Sequence, residues 1–315
     1  MNQNSENIFE NTRTVSESRG RRGNPARKPL KAGQAKKKYS LEPLTMIGCS
    51  PPEMVRIAAR TGYDFVSLRL IPMKVPGEYS FFPGDKQLVQ ATRNALKQTG
   101  IGVHDIELAR IVRDIEPASY VPAMELGAEL GARHLICSAW TDVRNDRNFV
   151  VERFAEICDL ASPFGLTVSL EFPSFSRLTD LADASDIIRS ADRPNAGILI
   201  DTLYVHLSRI SLDEIAAIPR EWIHFIHVCD TKADVPGTRD ELIRIARDER
   251  LYPGEGCIDF AGIDAAIPDV IYAIELPNQN RVVQYGYDGH ARRCLEAAKH
   301  CFEGGCSYNH VEASG

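Results

Sequence analysis

Four residues in the second half of the chain have side chains of the kinds that together bind divalent cations: Glu171, Asp201, His227 and Glu275. Each closes a short apolar run. In Leu166-Thr-Val-Ser-Leu-Glu-Phe172 the large residues Leu166, Val168, Leu170 and Phe172 alternate with Thr167, Ser169 and Glu171, the period of a strand with one greasy face. Gly197–Ile200 likewise ends at Asp201, Ile223–Ile226 at His227 and Val270–Ile274 at Glu275. Three carboxylates brought together without a cation repel and raise one another's pKa, a cost that a divalent ion removes. Three oxygen donors and one imidazole suit Mn²⁺ or Mg²⁺, and Zn²⁺ or Co²⁺ also fits. Any one of these residues alone reads as a helix cap, an ion-pair partner or a satisfied core histidine. Four at equivalent ends of successive strands read as a single site. His224, one off the parity of His227, reads as a structural residue facing the helices.

Elements able to hold such a quartet recur along the chain. Apolar runs at 44–48, 65–69, 102–108 and 134–138 precede the four just described. Helical stretches separate them, near 51–59, 87–98, 117–130, 147–163, 180–190, 211–217, 260–267 and 289–302. Eight strand–helix units in strict alternation predict parallel strands joined by right-handed crossovers. They make a single (β/α)8 TIM barrel over residues 41–303, with the quartet at its C-terminal mouth on strands five to eight. An open doubly wound sheet is the alternative, but no glycine-rich phosphate loop links a strand to a helix.

Composition sets the outer bounds. A 315-residue chain that is 43% hydrophobic can bury a full core. It has no run of the roughly 20 apolar residues needed to span a membrane. Its eight cysteines form no CxxC pair, which suits a reducing, cytoplasmic setting. Residues 1–40 hold ten Lys/Arg against three Glu and little to bury, so a disordered basic tail is expected there, and a flexible tail at 304–315. The whole chain's net charge of −6 therefore leaves residues 41–315 an acidic body at −13, which argues against a catalytic nucleic-acid role.

From about residue 44 to 302 the chain resembles the xylose isomerase-like TIM-barrel superfamily of sugar isomerases and epimerases. The resemblance rests on Ser-Leu-Glu171-Phe, Ile-Asp201-Thr, His227-Val-Cys-Asp230, Pro-Gly-Glu255-Gly-Cys-Ile-Asp259-Phe and Ala-Ile-Glu275-Leu. It implies metal ligands at Glu171, Asp201, His227 and Glu275, with Glu171 and Glu275 also moving protons. It further implies a carbohydrate-like substrate and a homo-oligomer, either dimer or tetramer. Two departures stand out. Many epimerases carry a histidine three residues after the ligand aspartate; here that place is Tyr204, and the nearest histidine is His206. The arginine many place shortly after the ligand histidine is also missing from Asp230-Thr-Lys232-Ala. The histidines of trinuclear-zinc nucleases are absent, since strand two has Arg69, strand three ends at Glu107, and no histidine lies between 228 and 289.

The expected chemistry is proton transfer next to a metal-bound carbonyl of a hydroxy-ketone, through an enediolate. The result is isomerisation or epimerisation; loss of a β-oxygen from the same enolate would instead make the enzyme a dehydratase or lyase. Arg69, His104, Glu107, Trp140, Tyr204, His206 and Lys232 are the candidate substrate-binding residues. The loop 70–86, with Tyr79, Phe81 and Phe82, is expected to act as a lid or a subunit contact.

Overall fold

The computed structural model describes residues 36–304. The expectations for the tails at 1–35 and 305–315 fall outside the described residues. Eight strands close into a barrel: β1 Lys38–Leu41, β2 Phe65–Arg69, β3 Gly102–Ile111, β4 His134–Ala139, β5 Thr167–Glu171, β6 Ala196–Asp201, β7 Ile223–Val228 and β8 Ile271–Ile274. Every neighbouring pair is parallel, and β8 closes onto β1 through the register Lys38↔Ile271 to Leu41↔Ile274. The predicted barrel is therefore the observed fold.

The first strand differs from expectation. The apolar run 44–48 is not a strand, because Pro43–Met46 forms a single 3-10 turn. Pro43 has no N–H to give a ladder. The strand is the more polar Lys38–Leu41, in which Tyr39 and Leu41 are fully buried and Ser40 faces the other way. The barrel thus begins three residues before the boundary read from the sequence.

Two apolar layers hold the barrel. The larger lies between strands and helices and takes the outward residues Val66, Leu68, Val168, Leu170, Ile198, Ile200, Val228 and Ile274. A smaller plug of Leu108, Ile136, Leu199, Phe225 and Ala273 fills the lumen. Burying a leucine or phenylalanine in either layer contributes about 1.5–3 kcal/mol.

Register shifts reshape the lumen below the mouth. An extra residue in β3 against both neighbours, and one in β7 against β6, break the alternation of faces. His224 consequently does not face the helices. Its Nδ1 lies 3.1 Å from the hydroxyl of Ser169, on the same face of β5 as Glu171, and its ring stacks on His134 at 5.4 Å. Gly197 makes the room: a Cβ there would meet the His224 ring and the Trp222 carbonyl at 2.4 Å. His134 bonds Thr167 through Nδ1 at 2.6 Å. Burial pushes His134 down to about 2 and His224 down to about 4, so both are neutral at pH 7.

Candidate metal centre

The ends of β5, β6 and β7, and the residue after β8, carry Glu171, Asp201, His227 and Glu275 to one point. One donor atom from each lies within 4.8 Å of the others, and all four residues are buried. His227 Nδ1 faces the carboxylates, 3.4 Å from Glu275 Oε2, 3.6 Å from Glu171 Oε1 and 4.0 Å from Asp201 Oδ2. Neither ring nitrogen has a hydrogen-bond partner among the described residues, although the residue is 1% exposed. Leaving buried polar atoms unmet costs about 1–3 kcal/mol each, so the arrangement fits a cation that accepts the imidazole lone pair.

Three further residues shape this point. Arg250 is 1% exposed and places Nη1 2.8 Å from Asp201 Oδ2 and Nη2 2.8 Å from Glu275 Oε2. Its Nη1 also donates to the Glu275 carbonyl at 3.0 Å. Glu42, directly after β1, is fully buried with neither oxygen bonded, and its Oε2 lies 3.8 Å from His227 Nε2. Tyr204 sets its hydroxyl 3.3 Å from Arg250 Nη2.

The loop motif read from the sequence around Asp230 and residues 253–256 has a physical role here. The Asp230 carboxylate accepts N–H groups from Thr231, Gly254, Gly256 and Ile258, at 2.8 to 3.1 Å. Its backbone also pairs with Leu251. This double tie fixes Arg250, one residue away, inside the mouth. Gly256 is required because a Cβ would strike the Thr231 carbonyl at 2.0 Å.

The charges follow from these contacts. Burial raises the pKa of Glu171, and its only ion-pair partner among the described residues is His227. Burial also raises Asp201, against the pull of Arg250. For Glu275 the burial penalty is outweighed by Arg250 and His227, which bring it down to about 2. Burial and nearby Asp105 push Glu42 well up.

The candidate substrate residues scatter. Arg69 and Glu107 lie in the lumen wall but bind each other, Nη2 to Oε2 at 2.9 Å and Nε to Oε1 at 3.2 Å, with Glu78 also against Arg69. Trp140 donates its indole N–H to Ser138 at 2.8 Å, and its ring meets Phe175, which in turn meets Tyr204, forming an aromatic wall. His104 belongs elsewhere. It packs on Phe65 and His134, at the starting ends of β2 and β4, and bonds Asp105 at 2.9 Å. The bulge in β3 turns it into the barrel floor, away from the mouth. His206 bonds the Ala233 carbonyl at 3.2 Å and sits by Cys257, without touching the quartet. Lys232 is exposed on the loop after β7. Phe81, expected in a lid, is 1% exposed and part of the core, whereas Tyr79 and Phe82 are exposed. Sequence reasoning missed Arg250, Glu42 and Phe175: no local pattern marks them, and tertiary contacts alone bring Arg250 and Glu42 to the quartet and Phe175 to Tyr204.

A family model described as xylose isomerase-like TIM barrel matches residues 55–289. Inosose isomerase of Bacillus licheniformis is 30% identical over 123 residues, which cover 38% of this chain and 42% of that protein. 3-Dehydroshikimate dehydratase of Pseudomonas aeruginosa is 28% identical over 166 residues, covering 50% of this chain and 24% of the other. The matched stretch is thus less than half of either relative's length. Among solved structures, the IolI protein with a binding zinc atom superposes with a TM-score of 0.69 at 18% identity, covering 86% of this chain and 99% of its own. At that identity the likeness concerns the fold alone. Among the described residues no helix is long and apolar enough to cross a membrane.

Proposed function

The chain belongs to the xylose isomerase-like TIM-barrel family, and from that premise we propose that it is a divalent-metal-dependent isomerase or epimerase of a sugar-like hydroxy-ketone. The observation that carries the reading is the buried quartet, whose imidazole has both nitrogens unmet while three carboxylates face it. Mn²⁺ or Mg²⁺ is the proposed ion, with Zn²⁺ or Co²⁺ as the alternative, and the zinc in the IolI structure supports metal use in this fold. A bound divalent ion supplies Lewis-acid stabilisation of charge on a substrate oxygen.

The chain's own residues divide the remaining work. Asp201 spends Oδ1 on the N–H of Leu203 and Oδ2 on Arg250, so neither oxygen is free to move protons, and its role is to hold the ion. Among the described residues no arginine pairs with Glu171, which makes it the better placed proton acceptor. Glu275 is kept ionised by Arg250 and serves as a ligand, with its second oxygen toward the substrate. His227 directs Nδ1 to the carboxylates and Nε2 toward Glu42. Tyr204, Phe175 and Trp140 form a wall for the substrate ring, and Arg69 with Glu107 closes the opposite side. A dehydratase is the second reading, supported by the match to 3-dehydroshikimate dehydratase. It uses the same proton removal at Glu171 followed by departure of a β-hydroxyl. The remaining expectations, a cytoplasmic setting and a homo-oligomer, are proposed with the buried free thiols and the exposed Tyr79 and Phe82 as their support.

The test is metal content together with turnover of inosose and 3-dehydroshikimate, followed by mass and by deuterium uptake. Exchange without mass loss indicates isomerisation; loss of water indicates the dehydratase. Glu171→Gln is expected to keep much of its metal and to lose on the order of a hundredfold in rate. Asp201→Ala and His227→Ala should lose metal affinity first, by roughly tenfold or more, with partial rescue by excess Mn²⁺. Full activity in Glu171→Gln would end the proton-transfer assignment.

A further inference from the structure

We propose that Arg110 is the seat of a carboxylate on the substrate, so that the hydroxy-ketone taken at the mouth is a carboxylated ring. The inference deepens the proton-transfer reading above and rests on it for the position of the reacting carbon. Arg110 lies near the end of β3. Its neighbours Ala109 and Ile111 pack in the helix-side core, so its own side chain turns to the lumen. In register Arg110 pairs with Ser138 of β4, and Ser138 pairs with Glu171 of β5. The arginine therefore stands in the same layer as the proposed proton acceptor, two strand spacings or roughly 10 Å of backbone away. A ring bridges that gap with its keto end at the quartet and its substituent at the guanidinium.

Arg110 differs from the other arginines of the lumen. Arg69 is bound by Glu107 and Glu78, and Arg250 by Asp201 and Glu275. Arg110 has no carboxylate within ion-pair distance among the described residues, and its Nε is buried with no acceptor. Its backbone is nevertheless held firmly, with N–H and carbonyl both bonded to the Tyr120 hydroxyl at 3.0 and 2.7 Å. A buried donor without an acceptor is a cost that a ligand can remove. Guanidinium Nε and Nη together match the two oxygens of a carboxylate in a planar fork. Electrostatics supply the need for it. Glu42, Asp105, Glu107, Glu171, Asp201 and Glu275 are all buried carboxyl residues of this barrel, so an anionic ring entering the lumen requires a cation to meet it, whereas a neutral ring does not. Next to Arg110, Ser138 pins the Trp140 indole, which gives such a ring a flat face to rest on.

The experiment is calorimetric titration of the Mn²⁺-loaded full chain with shikimate, methyl shikimate and inorganic phosphate. None of these probes carries a ketone, so binding is read without turnover and independently of Glu171. The parent should bind shikimate roughly tenfold or more tighter than its methyl ester. Arg110→Gln and Arg110→Met should weaken shikimate by roughly tenfold to a hundredfold and leave the ester unchanged, with metal stoichiometry and Tm as in the parent. Arg110→Met keeps the apolar stem should the polar variant fail to fold. Equal binding of acid and ester, no shikimate binding, or equal loss of both ligands in the variants overturns the proposal. Arg110-dependent phosphate binding that exceeds shikimate binding overturns the carboxylate assignment. Loss of activity in Glu171→Gln with no acid preference would leave the proton-transfer reading standing without this one.

Discussion

Arg250 carries more of the centre's charge balance than any residue the sequence pointed to. Its guanidinium touches two carboxylates where burial alone would favour their neutral forms. Removing one partner of a buried charge cluster typically costs about 3–5 kcal/mol because the others stay unpaired. Arg250→Met is therefore expected to lose about that much stability by urea denaturation in EDTA, and clearly less in Mn²⁺, which puts another cation against the same carboxylates. An equal loss in both conditions would mean that the quartet does not take the ion. Glu42 acts on the other side of the imidazole. At 3.8 Å its Oε2 stands just beyond hydrogen-bond distance of Nε2, close enough to orient the imidazole when the ring turns Nδ1 to a metal. Glu42→Gln should weaken Mn²⁺ binding by roughly tenfold with little change in fold, measured by equilibrium dialysis. Glu171, Asp201, His227 and Glu275 could be read from the sequence because each ends a strand of recognisable period. Arg250 and Glu42 could not. One follows a helix in a loop fixed by Asp230, and the other follows a strand whose polar residues gave no apolar signal.

At the scale of elements, one-residue bulges in β3 and β7 decide which histidines see the mouth and which form the floor. Alternation cannot show a bulge, and both misplaced histidines, His104 and His224, lie at one. Gly197 is the complementary feature. Gly197→Ala drives a methyl group into the His224 ring and the Trp222 carbonyl. The expected cost is about 1–3 kcal/mol, as for other overpacked cores, seen as a lower urea midpoint with an unchanged slope. The floor also predicts a pH dependence. The unfolded chain protonates these histidines near pH 6.5, whereas folded His224 resists until about 4 and His134 until about 2. The stability due to this difference is complete above pH 6.5 and is lost as the pH falls toward 4. His224→Asn should flatten the fall in Tm between pH 6.5 and 4 relative to the parent. An unchanged slope would show that the ring is not held neutral by the floor.

For the whole molecule the critical step is closure, and it falls on the shortest contact. β1 matches four residues to β8 but only Ser40 and Leu41 to β2. Lys37 reinforces the seam just before the strand: its ammonium lies 2.7 Å from the Tyr272 hydroxyl, pairs with Asp264, and sits 4.8 Å over the Tyr272 ring. The composition of the first 40 residues suggested a disordered tail throughout, because charge rather than hydrophobicity dominates there. The structure gives Lys37 and Lys38 places in the barrel that a hydrophobic pattern could not reveal. A chain beginning at residue 36 is expected to melt like the full protein. One beginning at residue 39 loses the Lys37 contacts and one rung of the β1–β8 ladder. That corresponds to about 1 kcal/mol or more, roughly 2–4 °C in Tm for a domain of this size. The same truncation should reduce Mn²⁺ affinity, because Glu42 is carried on the end of that strand. If both truncated chains melt and bind metal alike, the seam does not depend on residues 37 and 38, and β1 is held by Tyr39 and Leu41 alone.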